Sequence, residues 1–134
     1  MPKVLINPKA ADVEAGNAFV QTLELRENGV LLGRAVWAAP SDLSQGVAQI
    51  IDLTVPEDRR RKGLGSQLIV AVVEQARPFF KSRGAKLRRI WLSVEQKTQV
   101  NARSFLMKHN FHHTASVSEL LMKQDALIYT RAFD

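Results

Sequence analysis

Two hydrophobic periods divide the chain. Up to residue 55 apolar residues alternate or stand in short blocks, as strands require; from Arg60 they recur every three or four residues, as on a helix. Lys3 to Ile6 ("KVLI") reads as a short strand, and "NPKAADVEAGN" after it as a turn-like segment. "AFVQTLELRENGVLLGRAVWAAP" places two apolar-rich runs around Asn28-Gly29, the dipeptide that supplies the positive φ angles of a type I′ turn. A hairpin follows, with Phe19, Thr22, Leu23, Leu25, Val30, Leu31, Val36 and Trp37 suited to its strands. Pro40 and "SDLSQG" form a loop, and "VAQIIDLTVP" a third long strand ended by Pro56. Leu64, Leu68, Ala71, Val72, Gln75 and Phe79 then line one helical stripe. Pro78 should kink or end that helix, and Gly84 should stop it. "LRRIWLSVE" is a strand, and Thr98 is placed to cap a helix over Gln99–His109 with Ala102, Phe105, Leu106 and His109 near one face. "FHHTASVSELLM" and "ALIYTRAF" close the chain as strands. The order β, β–β, β, α, β, α, β, β predicts an α/β (α+β) fold, a mixed sheet flanked by helices.

Composition narrows this only slightly. A chain of 134 residues, 46% apolar and 24% charged, fits one globular domain over residues 1–134. No cysteine is present, which excludes disulfides, cysteine-bound zinc and a catalytic thiol and fits a reducing compartment. The apolar run near the start is too short for a signal-peptide core, and no run reaches membrane-spanning length, so a soluble cytoplasmic protein is expected. The formal net charge is +6; taking away the four cations of Arg59–Lys62 leaves +2. The basic character is therefore local and argues for a compact anion rather than a broad nucleic-acid face.

That cluster lies in "VPEDRRRKGLGSQLIVAVV", at the start of the first helix. A helix N-terminus already carries partial positive charge, so four adjacent cations are unfavourable there unless an anion joins them. Strand, glycine loop and helix N-terminus together make a phosphate-binding arrangement: backbone N–H groups point outward and Gly63 and Gly65 allow close approach. Two common nucleotide loops do not fit. A Walker loop needs Gly-Lys-Ser/Thr, but Gly65 is followed by Ser66 and Gln67; a dinucleotide loop needs a third glycine where Leu68 stands.

What remains is Arg60-Arg61-Lys62-Gly63-Leu64-Gly65 after "IIDLTVPED". This resembles the acetyl-coenzyme A motif of the GNAT (Gcn5-related N-acetyltransferase) family. The match is specific because strand, Pro, Arg, both glycines and helix coincide. "QVNARSFLMKHNF" resembles the second family signature, a helix with Asn and Ala followed by Gly-Phe. The element order agrees from Phe19 to the C-terminus. The N-terminal region departs from it, since Asn7 to Asn17 is too short for the family's two helices. The resemblance thus implies an acyl-CoA N-acyltransferase-like fold with a shortened N-terminal region.

It also implies a site. Acetyl-CoA would lie between the strands "VAQIIDLTV" and "LRRIWLSVE", with backbone groups of Leu53, Thr54 and Val55 along its pantetheine arm. The loop Arg60 to Ser66, Leu64 and Ser66 included, would wrap the pyrophosphate, with side-chain charge from Arg60, Arg61 and Lys62 and backbone N–H groups at Gly63 and Gly65. Asn101 resembles the family's Asn at a slightly displaced register, in a coenzyme contact or simply in the first helical turn. The reaction implied is direct attack of an amine on the thioester. Asp52, the only carboxylate in the core of the lining strand, is the candidate base; its alternative is to orient a loop. Gln49 cannot act as a base. The family's tyrosine position falls on Leu106, which cannot donate a proton. Tyr129, the only tyrosine, is either a substitute from the last strand or a core residue with its hydroxyl at the edge. Asn110, in place of the family's glycine before Phe111, keeps a left-handed cap available.

His109, His112 and His113 raise a metal reading that the spacing opposes. His112 and His113, adjacent on a strand, point to opposite faces, and no Asp or Glu lies at ligand spacing. No metal is expected. Trp37 and Trp91 suit a core, with Trp37 also a candidate for an acceptor pocket. The function expected is therefore acetyl transfer from acetyl-CoA to a primary amine of a small molecule, peptide or protein. The alternatives are an acyl-CoA-binding protein with little or no transfer, and a basic RNA- or protein-binding module of the same fold. The missing N-terminal helices suggest an open acceptor cleft, suited either to a protein N-terminus or lysine or to completion by a second chain in a homodimer. No membrane partner is expected.

Overall fold

The computed structural model describes residues 3–7, 19–56, 63–95, 99–121 and 124–133. In chain order it contains β1 (Lys3–Asn7), β2 (Phe19–Glu27), β3 (Val30–Ala39), β4 (Val47–Thr54), α1 (Leu64–Ser82), β5 (Arg89–Glu95), α2 (Gln99–Lys108), β6 (His112–Leu121) and β7 (Gln124–Ala132). The strands form one seven-stranded sheet in the order β1-β2-β3-β4-β5-β7-β6. All neighbours are antiparallel except β4 and β5. The sheet is therefore mixed and mostly antiparallel, as the element order predicts. Asn28 and Gly29 have φ of 52° and 78°, so the β2–β3 hairpin closes through the expected two-residue turn. The N-terminal segment read as too short for two helices, residues 8–18, lies outside the described residues, as does Thr98.

Alternation along the strands assigns the two sheet faces. Leu23 and Leu25 of β2, Ala35, Trp37 and Ala39 of β3, Ala48 and Ile50 of β4, and Ile90 and Leu92 of β5 are buried in one core with α1. Arg34, Val36, Ala38, Gln49 and Trp91 take the other face. On α1 the buried seam is Leu64, Leu68, Ile69, Val72, Ala76 and Phe80. It is rotated from the predicted stripe: Ala71, Gln75 and Phe79 are only half-buried. Phe79 instead flanks the seam, with its ring 4.2 Å from Phe19 and 5.5 Å from Trp37.

Pro78 does not end α1. It removes the partner of the Glu74 carbonyl, but both residues are exposed, so water can take that bond and the helix continues to Ser82. The true stop is Gly84, as predicted. Gly84 N–H donates to the Lys81 carbonyl (3.1 Å) and Ala85 N–H to that of Phe80 (2.9 Å), the paired bonds of a Schellman cap. Helix α2 ends in the same way. Asn110, at φ 65°, donates to Met107 (3.0 Å) and Phe111 to Leu106 (2.9 Å). The cap then delivers Phe111 into the core beside Leu106.

Candidate active site

The parallel ladder between β4 and β5 is short: Val47–Arg89, Ala48–Ile90 and Gln49–Trp91. Beyond it β4 runs on to Thr54 and β5 to Glu95 without pairing to each other. β4 stays on β3, and β5 stays on β7. The parting coincides with a bulge. Trp37 pairs with Ile50 and Val36 with Asp52, so Ile51 is an extra residue on β4 and is 53% exposed. A bulge bends its strand and increases the local twist, which turns the end of β4 away from β5. The result is an opening edged by main chain of β4 on one side and of β5 on the other.

Past the bulge, Leu53 pairs with Ala35 and packs against the core, while Asp52 and Thr54 pair with Val36 and Arg34 on the opposite face. There Asp52 is held at both oxygens. Its Oδ2 accepts from Arg34 Nε (3.0 Å) and pairs with Nη2 (2.8 Å), and its Oδ1 accepts from Thr54 Oγ1 at 2.6 Å. The Arg34 and Asp52 side chains remain 50% and 30% exposed. A carboxylate oxygen has two lone pairs; Arg34 occupies both on Oδ2, while Oδ1, with Thr54 alone, keeps room for one more proton-bearing partner. Val55, half-buried, packs on the core just after the strand.

Two residues of the glycine motif have distinct structural reasons. Gly63 is the N-cap of α1 at φ 75°, a left-handed conformation that costs a side-chain-bearing residue about 1–2 kcal/mol. Its carbonyl accepts the first helical bond, from Gln67 N–H at 3.0 Å. Gly65 has an ordinary φ, but a Cβ there would stand 3.0 Å from Phe105 Cζ. It is a close approach between α1 and α2. Among the described residues no side chain caps α1, and its first turn holds no acid; the N–H groups of Leu64, Gly65 and Ser66, which have no intrahelical acceptor, present an anion-favouring end. Ser66 reaches across to the end of α2, where its Oγ lies 2.8 Å from Nε2 of His109, the residue after the helix. Arg60, Arg61 and Lys62 lie outside the described residues, and Asn101 lies in the first turn of α2.

Tyr129 is buried (1% exposed), with its ring 5.6 Å from that of His113. It pairs with Leu92, so β5 stands between its strand and the opening. Leu106, at the tyrosine position of the motif, is buried in the core. Of the two tryptophans expected in the core, only Trp37 is there, and it is Trp91 rather than Trp37 that lines a groove. Trp37 is 1% exposed on the helix-covered face, while Trp91 lines a groove of about 280 Å³ on the other face. Ala38, Ala39, Pro40, Val47 and Gln49 help to form that groove. It lies at the base of the opening, since Gln49–Trp91 is the last pair before the strands part. The pairing Gln49–Ala38, then Asp52–Val36, puts groove and carboxylate on one face. The sequence reading missed two links, Arg34–Asp52 and Ser66–His109, because each joins residues far apart in the chain. The only signal for the second was His109 on the α2 face that carries Phe105 and Leu106.

Among the described residues no group of three His, Asp or Glu is arranged to hold a metal ion, and no helix is long and apolar enough to cross a membrane.

A parted parallel strand pair leading to a glycine-started helix defines the acyl-CoA N-acyltransferase class of folds, and the comparisons agree. Residues 6–111 match the Acetyltransferase (GNAT) family, and the chain belongs to that family. No protein of curated function matches it. Among solved structures, a GNAT family acetyltransferase from Elizabethkingia anophelis with acetyl-CoA bound is 16% identical, at a TM-score of 0.70 over 85% of this chain and 76% of that one. Ard1 from Thermoplasma volcanium is 24% identical, at 0.70 over 84% and 70%. An IAA acetyltransferase from Bacillus cereus is 16% identical, at 0.71 over 98% and 100%. At these identities the likeness speaks for the fold.

Proposed function

We propose that the protein is an N-acetyltransferase that moves the acetyl group of acetyl-CoA to a primary amine by direct attack. The observation that carries this is the coincidence of the parted β4–β5 edge with the open start of α1, one loop beyond the end of β4. Main-chain groups of Leu53, Thr54 and Val55 would hold the pantetheine arm. The N–H groups at Gly63, Leu64, Gly65 and Ser66, with the charges of Arg60, Arg61 and Lys62, would hold the diphosphate, and Asn101 would contribute from α2. The fit is supported by the left-handed Gly63 and by the absence of acids in the first turn.

Acetyl-CoA supplies an acyl group activated as a thioester. The chain's residues position the amine and manage its proton. An alkylammonium has a pKa near 10, so it must lose a proton before its nitrogen can bond to the acyl carbon. Asp52 is proposed as the acceptor of that proton, directly or through one water, from a lone pair that Arg34 and Thr54 leave open. The C–N bond forms and the C–S bond breaks; the nitrogen releases its surplus proton to solvent, and the departing thiolate takes one from solvent. The burial of Tyr129 behind β5 supports a packing role for it rather than acid catalysis. The groove at Trp91 and Gln49 is the proposed seat of the acceptor: it shares a face with Asp52 and has no charged lining residue. A cytoplasmic setting fits a chain without cysteine, and a homodimer would enclose the open side of the groove.

Calorimetric titration with acetyl-CoA, with ATP as control, tests the reading together with Asp52→Asn. Wild type is expected to bind the coenzyme at micromolar levels and ATP weakly. Asp52→Asn should bind it equally and turn over amines about 10²–10⁴-fold more slowly. Coenzyme binding without transfer to any amine would favour the alternative, an acyl-CoA-binding protein; Leu106 in the tyrosine position is the observation on that side. Absence of coenzyme binding would remove the proposal.

A further inference from the structure

The first turn of α1 and the C-terminal end of α2 are joined by two contacts, and a ring contact within the α2 end links them. Gly65 lies against the Phe105 ring, that ring lies 5.0 Å from the His109 ring, and His109 Nε2 lies 2.8 Å from Ser66 Oγ. Ser66 is thus both a member of the proposed diphosphate-binding turn and the partner of a titratable side chain at the end of another helix. We propose that His109 is a positioning residue for the coenzyme diphosphate, acting through Ser66 and coupling the arrival of that anion to the uptake of a proton. The proposal rests on the coenzyme reading above.

The reasoning is one of donors and acceptors. A serine hydroxyl has one proton, and it is useful to a diphosphate only if that proton points at the anion. The short contact with His109 constrains the choice. If Nε2 is bare it accepts the serine proton, and Ser66 then turns lone pairs toward the ligand. If Nε2 carries a proton it donates to Oγ, and the serine proton is free for the anion. A neutral imidazole meets this condition in only one tautomer; an imidazolium always meets it. Charge acts in the same direction. The groups facing His109 are Lys108 at the end of α2 and Arg131 on β7, with Arg77 of α1 acting on Arg131. Burial first, then the charges of Lys108 and Arg131, hold the imidazole below the usual histidine range. A diphosphate at the start of α1 would bring an opposing charge to the cations that face His109 among the described residues. The anion therefore raises the affinity of His109 for a proton, and by linkage a proton on His109 raises the affinity for the anion.

Sign and range follow. In the free protein burial and the neighbouring cations hold His109 below the ordinary histidine pKa. In the complex it charges at higher pH. Binding is therefore weakest above the bound-state pKa and tightens as pH falls toward the free-state value. A one-unit difference corresponds to about tenfold in affinity.

The test uses 3′-dephospho-coenzyme A, because the 3′-phosphate of coenzyme A itself titrates at about pH 6 and would mask the effect. Its affinity is measured calorimetrically from pH 5.5 to 8, and near pH 6.5 in two buffers of different ionisation enthalpy, which counts protons. Wild type should bind about tenfold more tightly at the acid end and take up a fraction of a proton. H109Q retains an N–H donor but cannot titrate; it should lose the proton uptake and the slope yet bind more tightly than H109F, with thermal melting confirming that both fold. If wild type binds with no proton uptake, or H109Q retains that uptake, the His109 proposal is overturned and the coenzyme site stands. If wild type binds neither the probe nor coenzyme A, the coenzyme reading fails first and takes this one with it.

Discussion

At the scale of single residues, Gly65 is the position where a binding motif and a packing constraint coincide. Alanine there would press on the Phe105 ring, and overpacking costs about 1–3 kcal/mol. Against this, alanine in a helix is favoured over glycine by about 1 kcal/mol. Gly65→Ala should therefore destabilise by up to about 2 kcal/mol in urea denaturation. In a Phe105→Leu background the clash is removed and the same change should become stabilising by a few tenths to about 1 kcal/mol; an unchanged sign would show that Phe105 is not the obstacle. Asp52 separates its two readings by a similar comparison of sizes. The Arg34–Asp52 pair is largely exposed, so it contributes no more than about 1 kcal/mol to stability. If Asp52→Asn slows transfer by orders of magnitude at that small cost in stability, the carboxylate acts on the reaction rather than on the strand.

Elements show why some of this was readable beforehand. The hairpin at Asn28-Gly29, the stop at Gly84 and the cap at Asn110 follow from backbone preferences of single residues, and all three stand where the sequence places them. The rotated seam of α1 was not readable: Ile69, Ala76 and Phe80 are chosen over Gln75 and Phe79 by how the helix lies on β2, β3 and β4. Nor was the bulge, because "QIID" offers two apolar residues in succession and only the partner strand shows which is extra. The cap of α2 gives a direct test. Asn110→Gly should leave stability unchanged or slightly raised, whereas Asn110→Val should lower it by about 1–2 kcal/mol, read from thermal melting. The start of α1 gives another, with opposed signs. Gln67→Glu puts a negative charge in the first turn, which favours the helix by about 0.3–1 kcal/mol but repels an anionic ligand. The melting temperature should hold or rise while coenzyme affinity falls. A parallel fall in both would argue against an anion at that end.

For the molecule as a whole, the short β4–β5 ladder joins two blocks of sheet, β1–β4 and β5–β7. Each block is held internally by antiparallel ladders of five pairs or more. A ligand seated in the opening would bond to both, doing between the blocks what strand pairing does elsewhere. Saturating coenzyme at about 100 times Kd should stabilise the fold by about 2.7 kcal/mol. Hydrogen exchange should slow most at amides of Leu53 to Val55 and of Val94. Uniform slowing across the sheet would instead indicate binding away from the opening.

The bulge at Ile51 has a genetic corollary. Removing that one residue would leave Gln49, Ile50, Asp52 and Leu53 on the sheet faces they now occupy, because the extra residue is skipped in the pairing with β3. The core would be spared, while β4 would run straight and could pair with β5 beyond Gln49. A single in-frame codon thus stands between a sheet with a parted edge and a plain, closed one. Loss or gain of that codon is a short evolutionary path by which such a chain would surrender or acquire its site without surrendering its fold.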